Sequence, residues 1–411
     1  MKKLIYAMLG LLLAVQIAGS QNAIQKNRLE KHIGYFSSDK LKGRGTASKG
    51  ERKAAKYIAK YYRNIGLAPK GDDGTFYHNF TFKRSKDPHG SVDHAGKIEK
   101  SKNVAAYLDN GAAYTVVIGA HYDHLGLGND HNSREANPSG LIHNGADDNA
   151  SGTAGVMELA RYYKENGIKE QYNYLFLHFS GEELGLVGSK KFCERPTIDL
   201  KTVNYMLNMD MIGRLNAEKA LKLGGVGSSP DFVPLVNSIK DEIRVKQDSS
   251  GMDASDHTSF YLQNIPVLFA FTGQHEDYHK ASDDADKINY DGEQMVLEYL
   301  IKLINGIDSK SKQVFQETKN NQQKSGGFKV TMGVMPDYVF EGEGMRIDGV
   351  TDGKPASKAG IKKGDVVLKL GDDNVKDVMG YMKSLGKYKK GDQTKVLIKR
   401  GEESLTFDIT F

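Results

Sequence analysis

At 411 residues, 39% of them hydrophobic and 27% charged, the chain is long enough for two or more soluble globular domains. Its net charge of +5 is small for that length and its lysines are scattered, which argues against a nucleic-acid partner. The lone cysteine, Cys193, excludes an internal disulfide framework and cysteine-rich metal sites.

In chain order, Lys2 and Lys3 precede an apolar stretch over residues 4–18, and Ala18-Gly19-Ser20 offers small residues for cleavage. A signal peptide over 1–20 is therefore expected, with the mature chain exported to the periplasm or beyond. The stretch is shorter than a spanning helix requires, so no stable membrane span is expected after cleavage. Residues 48–67 read as an amphipathic helix, with Ala54, Ala55, Ile58, Ala59, Tyr62 and Ile65 along one side and Gly66 at its end. Residues 71–102 are polar and irregular, with a hairpin at 77–83. Strand-like runs follow at 104–108, 114–120, 174–179, 204–209 and 266–271. Helical patterns lie between them, notably 152–165 and 231–243, and a helix over 291–307 closes the unit. This alternation predicts an α/β fold over residues 21–308: a doubly wound, mostly parallel sheet flanked by helices. Residues 309–327, rich in Lys, Gln, Asn and Ser, read as a linker. Short β-like runs then return over 328–411, with one helical stretch at 375–385. They predict a separate small domain of mixed β and α.

The chemistry begins at Glu182-Glu183, directly after the buried run 174–179. Adjacent carboxylates at the mouth of a buried strand need a cation or a proton to coexist. Four further segments place His, Asp or Glu at or beyond a predicted strand end: His121-Tyr122-Asp123-His124, Asp147-Asp148-Asn149, Asn208-Met209-Asp210 and Asp277-Tyr278-His279. In an open parallel sheet the carboxyl ends of the strands face one crevice. His121, Asp147, Glu183, Asp210 and His279 together form a nitrogen and oxygen set suited to zinc, or less specifically to cobalt or manganese. Five ligands exceed one open tetrahedral zinc, but fit two ions sharing one carboxylate. Asp147, in a Gly/Ala turn, is the expected bridge. Asp123 is placed to orient the His121 imidazole, and Asp148 to cap the following helix. His131, His143 and His178 read as structural or exposed, and His257 as a residue of the substrate pocket.

Taken as a set, Ala120-His121-Tyr122-Asp123-His124, Gly145-Ala146-Asp147-Asp148-Asn149-Ala150-Ser151-Gly152, Gly181-Glu182-Glu183-Leu184-Gly185 and Asn208-Met209-Asp210 resemble the secreted zinc aminopeptidases. That family is related to bacterial leucyl aminopeptidase, aminopeptidase Y and glutamate carboxypeptidase. The likeness runs from about residue 37 to 307 and includes Leu41-Lys42-Gly43-Arg44-Gly45-Thr46. It implies a zinc exopeptidase-like fold, one zinc on His121, Asp147 and Asp210, a second on Asp147, Glu183 and His279, and Glu182 as general base. A carboxypeptidase of the same fold is the nearest alternative. A glutaminyl cyclase would leave the second ligand set idle, and a vestigial peptidase that only binds peptide would have no use for Glu182. His279-Lys280-Ala281-Ser282-Asp283-Asp284 departs from the His-Thr-Pro often found there in the family.

Near the C-terminus, Met332-Gly333-Val334 and the run Ala359-Gly360-Ile361 to Gly364-Asp365-Val366-Val367 resemble a bacterial PDZ domain. The resemblance implies capture of a peptide or protein C-terminus by strand addition.

Overall fold

The computed structural model describes residues 23–84, 97–130, 132–318, 330–336, 342–350 and 353–411. The expected signal segment, His131 and the 319–327 part of the expected linker lie outside the described residues.

Nine strands form the larger sheet: β1 (Ala68–Pro69), β2 (Tyr77–Lys83), β3 (Ile98–Leu108), β4 (Thr115–His121), β5 (Asn173–Phe179), β6 (Val203–Met209), β7 (Ala220–Gly224), β8 (Arg244–Gln247) and β9 (Val267–Phe271). Their order is β1-β3-β5-β4-β6-β9-β7-β8, with β2 also paired to β3. The centre, β5-β4-β6-β9, is parallel throughout. Its flanks turn antiparallel, at β3 against β5 and at β7 against β9, so the sheet is mixed around a parallel heart. The four central strands are buried at every residue, as continuous apolar runs require when both faces are covered.

Alternation divides those residues between two cores. Val116, Ile118, Tyr174, Phe176 and Leu207 face one core, built with α1 (Lys26–Phe36), α2 (Lys49–Asn64), α3 (Gly152–Glu165) and, toward β7–β9, α5 (Phe232–Ser238). Val117, Leu175, Leu177 and Met206 face the other, packed on Phe192 of α4 (Val187–Glu194) and Phe260 of α6 (His257–Tyr261). The long closing helix α7 (Tyr290–Asp308) joins the first core through Leu297, Leu300 and Ile304. Helix α2 begins where expected. The Ser48 side chain accepts the Glu51 N–H at 3.1 Å and the Glu51 carboxylate accepts the Ala47 N–H at 2.8 Å.

Two expectations shift. Helix α5 stops at Ser238 instead of 243: the Asp241 carboxylate accepts the Ile243 N–H at 2.9 Å in a turn, and β8 then leaves to pair with β7. The start of the expected linker is held to the larger unit. The Gln313 N–H donates to Asn204 Oδ1 at 2.6 Å, the Gln316 N–H to the Ser228 carbonyl at 2.8 Å, and Phe315 lies 5.2 Å from the Tyr261 ring.

The C-terminal unit has its own core around Met345, Ile347, Val367, Val396 and Ile398. Its sheet runs β10 (Val334–Pro336), β11 (Met345–Val350), β12 (Val366–Leu370), β14 (Gln393–Arg400) and β15 (Glu403–Thr410), with the short β13 (Asp373–Asn374) on β12. Helices α8 (Pro355–Ala359) and α9 (Val378–Leu385) complete it.

Candidate active site

The parallel centre of the sheet brings four chain reversals to one edge. His121 is the last residue of β4, Glu182 and Glu183 follow β5, Asp210 follows β6, and His279 stands on the loop after β9. The crossover from β4 to α3 supplies Asp147 and Asp148.

Two buried clusters form there. In the first, His121 Nε2 lies 3.4 Å from Asp148 Oδ1 and 3.3 Å from Asp210 Oδ1. In the second, His279 Nε2 lies 3.2 Å from both Asp148 Oδ2 and Glu183 Oε2, and His124 Nδ1 lies 2.6 Å from Glu183 Oε1. Asp148 is the residue common to both.

The expectation that Asp147 is the shared carboxylate is therefore corrected. Its Oδ1 accepts the Gly213 N–H at 2.7 Å and its Oδ2 meets His275 Nε2 at 3.1 Å, so both oxygens are engaged away from the clusters. Asp148 in turn caps no helix. Asp283 sets this division by accepting the N–H groups of both Asp147 and Asp148 at 3.0 Å through Oδ2, which fixes the backbone between them. Asp283 and His275 carry no strand-end signal, so sequence reasoning passed over both. His124 was within a recognised segment but had no assigned role.

Asp123 is fully buried, with its Oδ1 3.8 Å from His121 Nδ1. Closer partners are the Glu182 N–H, donating to Oδ1 at 3.2 Å, and the Thr46 hydroxyl, donating to Oδ2 at 2.7 Å. It thus positions the Glu182 backbone as well as facing the imidazole. The early Gly-Arg-Gly segment has an equally concrete task. Arg44, fully buried, donates to the carbonyls of Phe36, Tyr122, Asn144 and Gly145 and so ties the His121 and Asp148 loops together. A Cβ on Gly43 would sit 2.4 Å from the carbonyl oxygens of Gly126 and His143, so only glycine admits this approach. His257 does not line the cleft: it is buried behind Phe269, stacked on that ring at 4.5 Å. His143 and His178 are structural, as expected, and His178 Nε2 is paired with the Tyr62 hydroxyl at 2.5 Å.

Charge is concentrated here among buried side chains. Burial would raise the Asp148 carboxyl, but the imidazoles of His124, His121 and His279 hold it well below its ordinary value. Burial would lower His121 and His279, yet Asp210 and Glu182 lift the first, and Glu183 and Asp148 the second, well above the usual range. Glu182 is pushed well above the usual carboxylate range by burial and by the charges of Glu183 and Asp210. Arg44 is lowered to about 10 by burial, against the pull of Asp148 and Asp123, and supplies a fixed positive charge behind the acids.

These donors suit divalent metal. Asp148 Oδ2 is buried without a hydrogen-bond partner, and a buried unpaired carboxylate oxygen is costly unless an ion completes it. Nitrogen and oxygen ligands at these separations match zinc, whose bonds of about 2.0–2.2 Å place tetrahedral ligands roughly 3.3 Å apart. Glu182 belongs to neither cluster but faces the cleft beside them. Met211, Phe269, Phe271 and Tyr278 form an apolar wall opposite, and none of the described cleft-lining residues is Lys or Arg.

An α/β sheet with two carboxylate–imidazole clusters joined by one aspartate, at its carboxyl edge, makes a candidate site for two divalent metal ions. Residues 103–304 match the model of Peptidase family M28 and residues 315–411 that of the PDZ domain, so the chain carries an M28 peptidase domain followed by a PDZ domain. A probable leucine aminopeptidase of Arthroderma otae is 29% identical over 179 residues, covering 41% of this chain and 46% of that protein. Leucine aminopeptidase 1 of Coccidioides posadasii is 29% identical over 225 residues, 49% of this chain and 56% of that protein. The chain spans about half the length of these curated relatives. The crystal structure of the LapA aminopeptidase of Legionella pneumophila shares the fold, with a TM-score of 0.52 at 19% identity over 72% of this chain and 74% of that one.

Proposed function

We propose that this chain is an exported aminopeptidase that removes N-terminal residues from peptides, with two zinc ions held by His121, Asp148, Asp210, Glu183 and His279. Cobalt or manganese would also suit the ligand set. The observation that carries the reading is the cleft's lining: Asp148, Glu182, Asp210 and Asp253 line it, and none of the described lining residues is Lys or Arg. That lining offers carboxylates to a substrate's free ammonium but no Lys or Arg to the C-terminal carboxylate that a carboxypeptidase must hold.

Bound there, divalent ions supply a water acidified towards neutral pH and Lewis-acid polarisation of the scissile carbonyl. Glu182 takes the proton of the attacking water and returns it to the departing amine. Its raised affinity for a proton, a product of burial and of Glu183 and Asp210, suits a group that takes up a proton and passes it on. Asp123 fixes the Glu182 backbone through the 3.2 Å N–H bond, and Arg44 holds the loops in register. The wall of Met211, Phe269 and Phe271 favours an apolar side chain at the substrate's first residue, in keeping with the leucine aminopeptidase names of the relatives.

Export is supported by Lys2, Lys3 and the apolar stretch after them, and no helix among the described residues is long and apolar enough to cross a membrane. For the PDZ domain we propose a peptide or protein C-terminus added beside β10, one of the two end strands of its sheet in the described residues. The deciding assay compares a peptide with a free N-terminus against its N-acetylated form. An aminopeptidase cleaves only the first; a carboxypeptidase cleaves both.

A further inference from the structure

His124 belongs to no part of the role just described, yet it is built into the second cluster. It stands three residues beyond His121 and is 1% exposed. Its backbone N–H donates to the Arg44 carbonyl at 3.3 Å, and residue 124 bridges to Gly45, so the buried Gly-Arg-Gly segment fixes its place. Gly145 lies flat against the ring: a Cβ there would sit 2.4 Å from His124 Cδ2. The ring's Nδ1 points at Glu183 Oε1 at 2.6 Å and at Asp148 Oδ2 at 3.7 Å. That same Asp148 Oδ2 is buried without a hydrogen-bond partner. On its far side is His279 Nε2 at 3.2 Å, and the two imidazole rings are 6.0 Å apart at 72°, as two rings turned towards one point would be.

We propose that His124 is a direct ligand of the second metal ion, beside Asp148, Glu183 and His279. The separations of 3.2 and 3.7 Å bracket the edge of a tetrahedral zinc site, roughly 3.3 Å for bonds of 2.0–2.1 Å. The shorter contact to Glu183 opens when an ion comes between the two side chains. The two ions then have unequal surroundings: one imidazole and two carboxylates at the first, two imidazoles and two carboxylates at the second. The second ion is accordingly held more tightly and closed more fully by protein, which leaves the open coordination position at the His121 and Asp210 side. The competing role for His124 is that of an outer partner, donating Nδ1–H to Glu183 without touching metal.

This inference rests on the two-metal reading, and the test separates them. The full chain carrying Asp210→Asn, which disables the first cluster, is loaded with one zinc and examined by X-ray absorption at the zinc edge. Two imidazoles on that ion are expected, falling to one when His124→Asn is added. A single imidazole in the Asp210→Asn protein makes His124 an outer partner and overturns the proposal. In otherwise unaltered protein, competition with a chelator should show that His124→Asn weakens one ion by more than the roughly 10–100-fold typical of losing an outer partner. Unchanged release of both ions would equally overturn it. If the variant does not fold, the count in Asp210→Asn alone decides. Failure of the unaltered chain to bind any zinc would refute the two-metal function itself, and the proposal with it; two bound ions with one imidazole at the second refute only the proposal.

Discussion

Asp147 and Asp148 are neighbours of identical chemistry, and the structure assigns them opposite fates on mutation. In Asp147→Asn, Oδ1 still accepts the Gly213 N–H now at 2.7 Å, but the charged partner of His275 Nε2, at 3.1 Å, is lost. One buried charge-assisted hydrogen bond contributes about 1.5–3 kcal/mol. For a unit of this size that corresponds to a fall in Tm of roughly 2–5 °C. Both clusters keep their ligands, so metal content should hold at two ions per chain. In Asp148→Asn the group facing His121 at 3.4 Å and His279 at 3.2 Å loses its charge, and both clusters lose a ligand together. Metal content should fall towards zero and turnover by more than about 10³-fold, the several kcal/mol such ions provide. Elemental analysis after dialysis, with thermal unfolding on the same samples, reads both effects. A metal-free Asp147→Asn beside a fully loaded Asp148→Asn would refute the assignment.

Three more outcomes follow from the same geometry. Arg44→Met leaves four buried carbonyls without their donor, and unfolding free energy should drop by about 3–5 kcal/mol, read by denaturant titration; a change below about 1 kcal/mol, near the scale of surface substitutions, would contradict the clamp. Glu51 is raised to about 8, by burial first and then by Asp123. Its folded value lies above its unfolded one, so its contribution favours the fold below the ordinary carboxylate range and declines as pH rises towards 8. Glu51→Gln should flatten that decline between pH 5 and 8, about the window these two values bound, and an unchanged pH profile of Tm would count against it. His121 and His279 bind protons more tightly than free imidazole in the metal-free protein, while a ligating imidazole must be neutral. Zinc uptake should therefore release protons and weaken as pH falls, which calorimetry in two buffers of different ionisation heat detects.

Much of this site was legible because parallel strands impose it. A continuous apolar run ending in His, Asp or Glu marks the carboxyl edge of a buried strand, and His121, Glu183, Asp210 and His279 were found that way. Choosing between Asp147 and Asp148 was beyond such reasoning. The choice depends on the Gly213 N–H and on Asp283, which are 66 and 136 residues from Asp147 in sequence and announce nothing locally. His124 and Arg44 were visible in their motifs, but their tasks depend on contacts between loops. Helix α1 was missed although Leu29, Ile33 and Phe36 carry helical spacing, because charged residues dilute the pattern. Strand β7, antiparallel to β9, and strand β8, parallel to β7, are short, and Lys222 interrupts the first apolar run. The segment before residue 318 is polar in composition, and polar contacts hold it to the catalytic unit, so periodicity could not reveal it.

The most direct test of the whole account joins metal content to one substitution and one blocking group. The unaltered chain and Glu182→Gln are each assayed for bound zinc and for hydrolysis of a leucyl peptide, free and N-acetylated. The account predicts two ions in both proteins, cleavage of the free peptide by the unaltered chain alone, and a loss of at least about 10²–10⁴-fold in the variant. Loss of zinc from Glu182→Gln, or equal cleavage of the acetylated peptide, would contradict it.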